Sequence, residues 1–215
     1  MMSYLTGWVL LAVMLVLTLF NARKKLPFLP MLSARVWLVS HIALGFFSAA
    51  IFVWHAGWPH GWFNWLLTAV YAAVMISGVV GWIWSRTIPR QLTALGEEVI
   101  WETIPARRAQ LRAQAEAMAI TSPVVGRFYL ENLSGSWTDA ERNLRVLRDT
   151  LGETERALAD RLAAILREDA LLATHYRLQG RLKGWLFVHI PLTYALLVLT
   201  AAHVIVVYAF SRGAP

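Results

Sequence analysis

The 215-residue sequence contains no cysteine. That excludes disulfides, Cys-held iron–sulfur clusters and any Cys-x-x-Cys-His haem attachment, so a bound metal or cofactor must be held by His or carboxylate. Charge is scarce as well, at 15% against about 25% in an ordinary soluble domain. With 58% hydrophobic residues, both an ordinary soluble globular protein and a disordered chain are excluded. Acidic residues are missing outside one stretch: all 13 fall between Glu97 and Asp169. No Gly-rich phosphate loop, Rossmann fingerprint or Walker motif occurs, which argues against a flavin or nucleotide domain.

What is present is apolar length and tryptophan. There are 11 Trp, and the mean hydropathy is +0.51. Four apolar runs, at about Tyr4–Phe20, Val36–Trp58, Trp62–Trp84 and Trp185–Phe210, are each long enough to cross a hydrocarbon core of roughly 30 Å. The first is followed by Arg23-Lys24-Lys25. A signal peptide would carry its positive charges before the run, so this one is expected to remain as an anchor. Pro59 closes the second run and Ser85-Arg86 the third. Trp8, Trp37, Trp54, Trp58, Trp62, Trp65, Trp82, Trp84 and Trp185 mostly stand near run ends, as in an interfacial aromatic belt.

The net charge of +7 divides unevenly. Glu97 to Asp169 holds 13 acidic residues and ten Arg, a net −3, while the other ten basic residues flank the apolar runs and supply +10. The excess is therefore a membrane-topology signal and not a nucleic-acid groove. Residues 21–35 carry four basic residues and no acid. Arg86 and Arg90 follow the third run, and Arg177, Arg181 and Lys183 precede the fourth. By the positive-inside rule both termini lie outside and residues 87–183 lie in the cytoplasm, as expected for a bacterial inner membrane protein; Arg212 is a minor exception. The second and fourth runs are then parallel.

Residues 87–182 are a different material, rich in Arg, Glu, Ala and Leu. They predict an inserted cytoplasmic helical domain between residues 1–86, holding spans one to three, and residues 183–215, holding the fourth span. Pro105 suits the first turn of a helix reaching about Ile120. Thr138 and Glu141 form a capping-box pattern. Leu144, Leu147, Leu151, Leu158, Leu162, Ile165 and Leu172 recur at helical spacing. They predict a long amphipathic helix leading into the fourth span, with Gly152 and Gly180 as its soft points. Arg107, Arg108 and Arg112 share a face expected to be solvated, and His175 is expected at the surface.

Four of the six His lie inside apolar runs, His41 and His55 in the second, His189 and His203 in the fourth. Ionisable residues at membrane depth are functional hypotheses by default. Each pair is fourteen residues apart. That advance is within about 40° of whole helical turns, so each pair shares a face over roughly 21 Å of helix. His41 follows Arg35 by six residues, and His189 follows Lys183 by six. On parallel helices His41 is level with His189 near the inner surface, and His55 with His203 near the outer. Two imidazoles per level suit axial ligation of haem iron, whereas zinc or copper sites want three or four converging ligands. Gly45, one turn from His41, and the small residues Ala195, Thr200, Gly78 and Gly81 could admit a flat macrocycle. Pro191, two residues after His189, could kink the helix and aim it. Arg35, Arg181 and Lys183 could meet propionates of an inner haem. His60, in the outer turn, reads as a solvated loop residue, with a quinone or proton-transfer role as the other reading.

This arrangement resembles the haem-binding four-helix core of the cytochrome b superfamily, over roughly 100 of the 215 residues. The resemblance implies an all-α integral membrane four-helix bundle with two b-type haems, the inner held by His41 and His189 and the outer by His55 and His203. It implies transmembrane electron transfer by one subunit of a larger oxidoreductase, with a quinone as an open further ligand. Partner subunits would dock on the cytoplasmic insertion and the outer surface. The insertion of roughly 95 residues departs from that family. The absence of flavin and nicotinamide domains argues against a self-sufficient enzyme. Two other classes stay open: a membrane adaptor whose His residues only bond between helices, and a His-based metal or proton transporter.

Overall fold

The computed structural model describes residues 2–22, 33–96, 99–132, 143, 146 and 151–211, and no strand occurs among them. The helices are α1 (Met2–Ala22), α2 (Ala34–Ala56), α3 (Gly61–Ala94), α4 (Ile104–Thr121), α5 (Pro123–Asn132) and α6 (Glu153–Ser211), with a 3-10 turn at Trp101–Thr103 leading into α4. Three of them, α2, α3 and α6, are long and apolar enough to cross a membrane. The first expected span lies in α1, whose apolar stretch Tyr4–Leu19 is shorter.

Local chemistry sets the helix limits. Ser33 caps α2, its hydroxyl accepting from the Val36 N–H at 3.4 Å. The helix stops where Gly57 takes φ +54°, a conformation open to glycine at no steric cost, and Pro59 follows. α3 continues past Ser85-Arg86 to Ala94 with Pro89 inside it. Pro89 lacks one donor and frees the Ser85 carbonyl, yet the remaining helical bonds hold. Charge ended the apolar run there, not the helix. Gly96, at φ +99°, closes α3 by donating its N–H to the Thr93 carbonyl at 3.2 Å. α6 is unbroken through Gly180 and Pro191, whereas Gly152 precedes its first residue.

Contacts divide the chain into Met1–Arg86 with Leu182–Pro215, and Thr87–Arg181. In the first unit the core joins Leu10 and Met14 of α1, Tyr71 of α3 and Leu196 of α6, with Ile51 and Phe52 of α2 against it. The Phe52 and Tyr71 rings stack at 3.8 Å. The Ser48 hydroxyl donates to the Gly45 carbonyl at 2.7 Å, which leaves its oxygen to accept from the Tyr71 O–H at 2.9 Å. Trp8 donates its indole N–H to the Tyr208 hydroxyl at 3.0 Å and so joins α1 to α6. The outward face is apolar: Val53, Trp54, Trp58, Trp62 and Phe187 are each at least 74% exposed, a surface suited to lipid.

In the second unit Pro105 sits in the first turn of α4. Leu151 and Leu162, with Ala159, are buried against Ala115 of α4 and Phe128 and Tyr129 of α5. Leu172 is buried with Ile104 and Leu111. The capping-box residues Thr138 and Glu141, and Leu144 and Leu147, lie outside the described residues. One sequence expectation is refined here and one is corrected. Arg107 pairs with Glu168 at 2.8 Å, and Arg108 binds Asp169 through two bonds of 2.7 and 3.0 Å; Arg112 reaches Asp169 at 3.9 Å. That face is ion-paired to α6 through a part-buried Arg108, while Arg107 and Arg112 stay more than half exposed, and the bond to Asp169 raises the Arg108 pKa further. His175 is buried, because it falls between the buried Leu172 and Leu178 on one face of α6.

Candidate functional site: two histidine-lined cavities

Two cavities lie within the first unit. One, of about 360 Å³ and named inner after the expected topology, is lined by His41 of α2 and His189 of α6. The outer, of about 390 Å³, is lined by His55 of α2 and His203 of α6. Both volumes fall in the range of small-molecule and cofactor sites, roughly 300–1,000 Å³. Each His is close enough to its opposite number to interact electrostatically. The fourteen-residue spacing on both helices thus delivers one imidazole per helix to each cavity. Met14 and Leu196 line both cavities and stand at the partition between them.

Neighbouring helices orient the rings. Ser77 Oγ of α3 lies 2.7 Å from His189 Nδ1. The single Ser77 hydroxyl proton goes to the Val74 carbonyl at 2.8 Å, so the oxygen accepts from Nδ1–H. That tautomer leaves the Nε2 lone pair of His189 free. Thr6 Oγ1 of α1 lies 3.1 Å from His55 Nδ1. Phe63 stacks on His203 at 6.4 Å with rings 12° from parallel. His41 interacts with the backbone of Leu17 on α1.

Among the glycines near the rings, Gly7 is the one whose missing side chain leaves room for an imidazole. Gly45 lines the inner cavity, and a Cβ there would meet nothing within 4 Å. A Cβ on Gly78 would make an ordinary 3.8 Å contact with His189 Cε1. A Cβ on Gly7 would come within 2.9 Å of His55 Cε1, closer than real contacts tolerate. Thr200 lines the outer cavity, whereas Ala195 is exposed on α6. His60 is exposed and lines the outer cavity, its carbonyl accepting from Asn64 at 2.8 Å.

Arg35 and Lys183 are exposed and are not part of the inner cavity wall. Trp82 is part of it, and its buried indole N–H has no partner among the described residues. The Arg86 guanidinium sits 4.8 Å from the Trp82 ring. Among the described residues no three His, Cys, Asp or Glu converge as a metal site, so the donor sets are pairs.

Sequence reasoning missed Thr6, Gly7 and Ser77 as ring partners, and Trp82 as a cavity donor. The run Ser77-Gly78-Val79-Val80-Gly81 held one signal, a hydroxyl beside small residues within an apolar span. No family model matches this chain, and no curated protein or solved structure matches it.

Proposed function

We propose that this chain is a dihaem b-type membrane cytochrome that carries electrons across a bilayer as a subunit of a larger redox assembly. The observation that carries the reading is the pairing of one α2 and one α6 histidine in each of two cavities stacked along the same helices. In this reading α1, α2, α3 and the second half of α6 are four spans. Residues 87–182 form the cytoplasmic insertion and both termini lie outside, in a bacterial inner membrane. The chain resembles the cytochrome b superfamily in that arrangement.

The residues present fit the group. His41 and His189 would hold the inner haem and His55 and His203 the outer, through imidazole nitrogens facing the cavities. Gly45 leaves open space at the inner wall. The orphaned Trp82 N–H offers a donor to a carboxylate substituent, beside the cation of Arg86. Arg35 and Lys183 then serve as interfacial anchors. Bound there, b-type haem would supply reversible one-electron exchange. The protein's part is to orient imidazoles, as Ser77 does for His189, and to exclude water with the apolar partition at Met14 and Leu196. Electrons would enter and leave through partner subunits or a membrane quinone.

The full chain, purified in detergent, should show a b-type α-band in a reduced-minus-oxidised spectrum and two haems per chain by pyridine haemochrome. Absence of both overturns the proposal. His203→Leu should remove the outer haem alone. A second reading, a membrane adaptor with helix-bonding histidines, is favoured by the Ser77–His189 and Thr6–His55 bonds. It expects a colourless protein.

A further inference from the structure

The two cavities treat their α6 histidines differently. At the outer one, His203 rests against Phe63 at 6.4 Å. At the inner one, His189 is held from two sides. Ser77 accepts from its Nδ1, and the Trp185 indole, one turn earlier on α6, stacks on it at 5.2 Å with rings 24° apart. Trp185 is itself fixed. Its indole N–H donates to the Ser77 carbonyl at 2.7 Å, and its benzo ring occupies the place a Gly81 side chain would take, since a Cβ there would overlap the ring. Ser77 therefore binds both aromatic rings, His189 by its hydroxyl and Trp185 by its backbone carbonyl.

We propose that Trp185, seated on Gly81 and bonded to Ser77, is a positioning residue that fixes the ring plane of His189 and holds it against rotation more firmly than Phe63 holds His203. A single hydrogen bond at Nδ1 sets the tautomer but leaves the imidazole free to swing about the N–H···O direction. A flat indole packed on the ring face removes that freedom, and its own N–H bond prevents the indole from following. Gly81 is required because the indole lies against the α3 backbone. Trp185 is not a ligand. Its indole carries a donor only, so it cannot coordinate metal. It acts through His189. Its relevance to haem rests on the proposed function above, whereas its hold on His189 does not.

The test uses the full chain in detergent with Trp185→Phe, Trp185→Leu and Gly81→Ala. Low-spin electron paramagnetic resonance reads the relative planes of axial imidazoles, and the outer centre, assigned with His203→Leu, is the internal reference. Trp185→Leu and Gly81→Ala should move or broaden the inner g-maximum beyond the wild-type linewidth, with the outer signal fixed. Trp185→Phe, which keeps a ring but loses the N–H bond, should fall between. An inner signal unchanged in all three overturns the role. Should wild-type protein bind no haem, the cytochrome reading fails, and Trp185 is still tested by 15N NMR of labelled imidazoles. Trp185→Leu should then shift and broaden the His189 resonances, and an unchanged His189 overturns the proposal. If Gly81→Ala or Trp185→Leu does not fold, Trp185→Phe decides alone: an inner signal, or His189 resonance, identical to wild type overturns it.

Discussion

Ser77 Oγ of α3 stands 2.7 Å from Nδ1 of His189 on α6, while its own proton is given to the Val74 carbonyl. One hydroxyl therefore fixes which imidazole nitrogen keeps a lone pair. Hydrogen-bond partners of metal-bound histidines typically change affinity about 10–100-fold when removed. If the chain holds haem as proposed, Ser77→Ala should weaken it at the inner site by about that factor and leave the outer site alone, whereas Ser77→Thr should keep most of the affinity. Titration of haem into the stripped protein, followed at the Soret band, measures both.

The outer site has its counterpart on α1. Thr6 bonds His55 at 3.1 Å, and Gly7 clears the same ring by having no side chain. Gly7→Ala puts a methyl 2.9 Å from His55 Cε1, an overpacking that costs roughly 1–3 kcal/mol unless the imidazole shifts. Thr6→Val keeps the shape and removes the half-buried bond, a change averaging about 0.6 kcal/mol for such bonds within a membrane. On the proposed dihaem reading, both should lower haem occupancy at the outer site while the inner one stays full. Equal loss at both sites would mean global destabilisation instead.

The paired spacing of His41 with His55 and of His189 with His203 was legible because helical period is a property of one chain segment. It does not depend on what the helix packs against. The apolar runs of α2, α3 and α6 were legible for the same reason, and so was the stop at Gly57 and Pro59. Rotations between helices were not. Whether Ser77 meets an imidazole, or Arg108 meets Asp169 sixty-one residues away, depends on which faces oppose each other, and one sequence carries no record of that. His175 was misplaced at the surface for a related reason. A polar type in an amphipathic stretch suggests solvent, yet its position between Leu172 and Leu178 puts it on the buried face. The continuation of α3 past Ser85-Arg86 to Ala94 was not legible, because charge marks where apolar chain stops, not where helical bonding stops.

Tyr129, buried among Leu162 and Ala159 in the Thr87–Arg181 unit, gives that unit an alkaline limit. Burial raises its pKa, and the nearby Glu116 carboxylate raises it further. The folded chain thus holds the phenol proton more tightly than the unfolded chain does. The stability it contributes is whole below the unfolded value of about 10 and is lost as pH climbs through the raised one. Limited proteolysis of the full chain should show the α4–α5 region becoming sensitive above about pH 10. Tyr129→Phe should shift that onset upward. An onset unmoved by the substitution would assign it to another group.

In the wall of the inner cavity, the Ser48–Tyr71 bond carries an asymmetry that mutation can read. Ser48 donates to the Gly45 carbonyl and accepts from Tyr71. Tyr71→Phe therefore leaves Ser48 still bonded through its proton and keeps the ring stacked on Phe52. Ser48→Ala instead leaves the Tyr71 O–H with no acceptor in an apolar core, and a stranded donor costs more than a lost net bond. In a bilayer the difference is muted because the unfolded helices also find partners, with such bonds averaging about 0.6 kcal/mol. The expected order of thermal stability in detergent is wild type, then Tyr71→Phe, then Ser48→Ala. Tyr71→Ala should fall well below all three, since it removes the aromatic stack and opens a cavity worth about 3–5 kcal/mol. If Ser48→Ala proves the milder of the two single changes, Ser48 is the donor in this pair and the Gly45 bond is not the one that holds it.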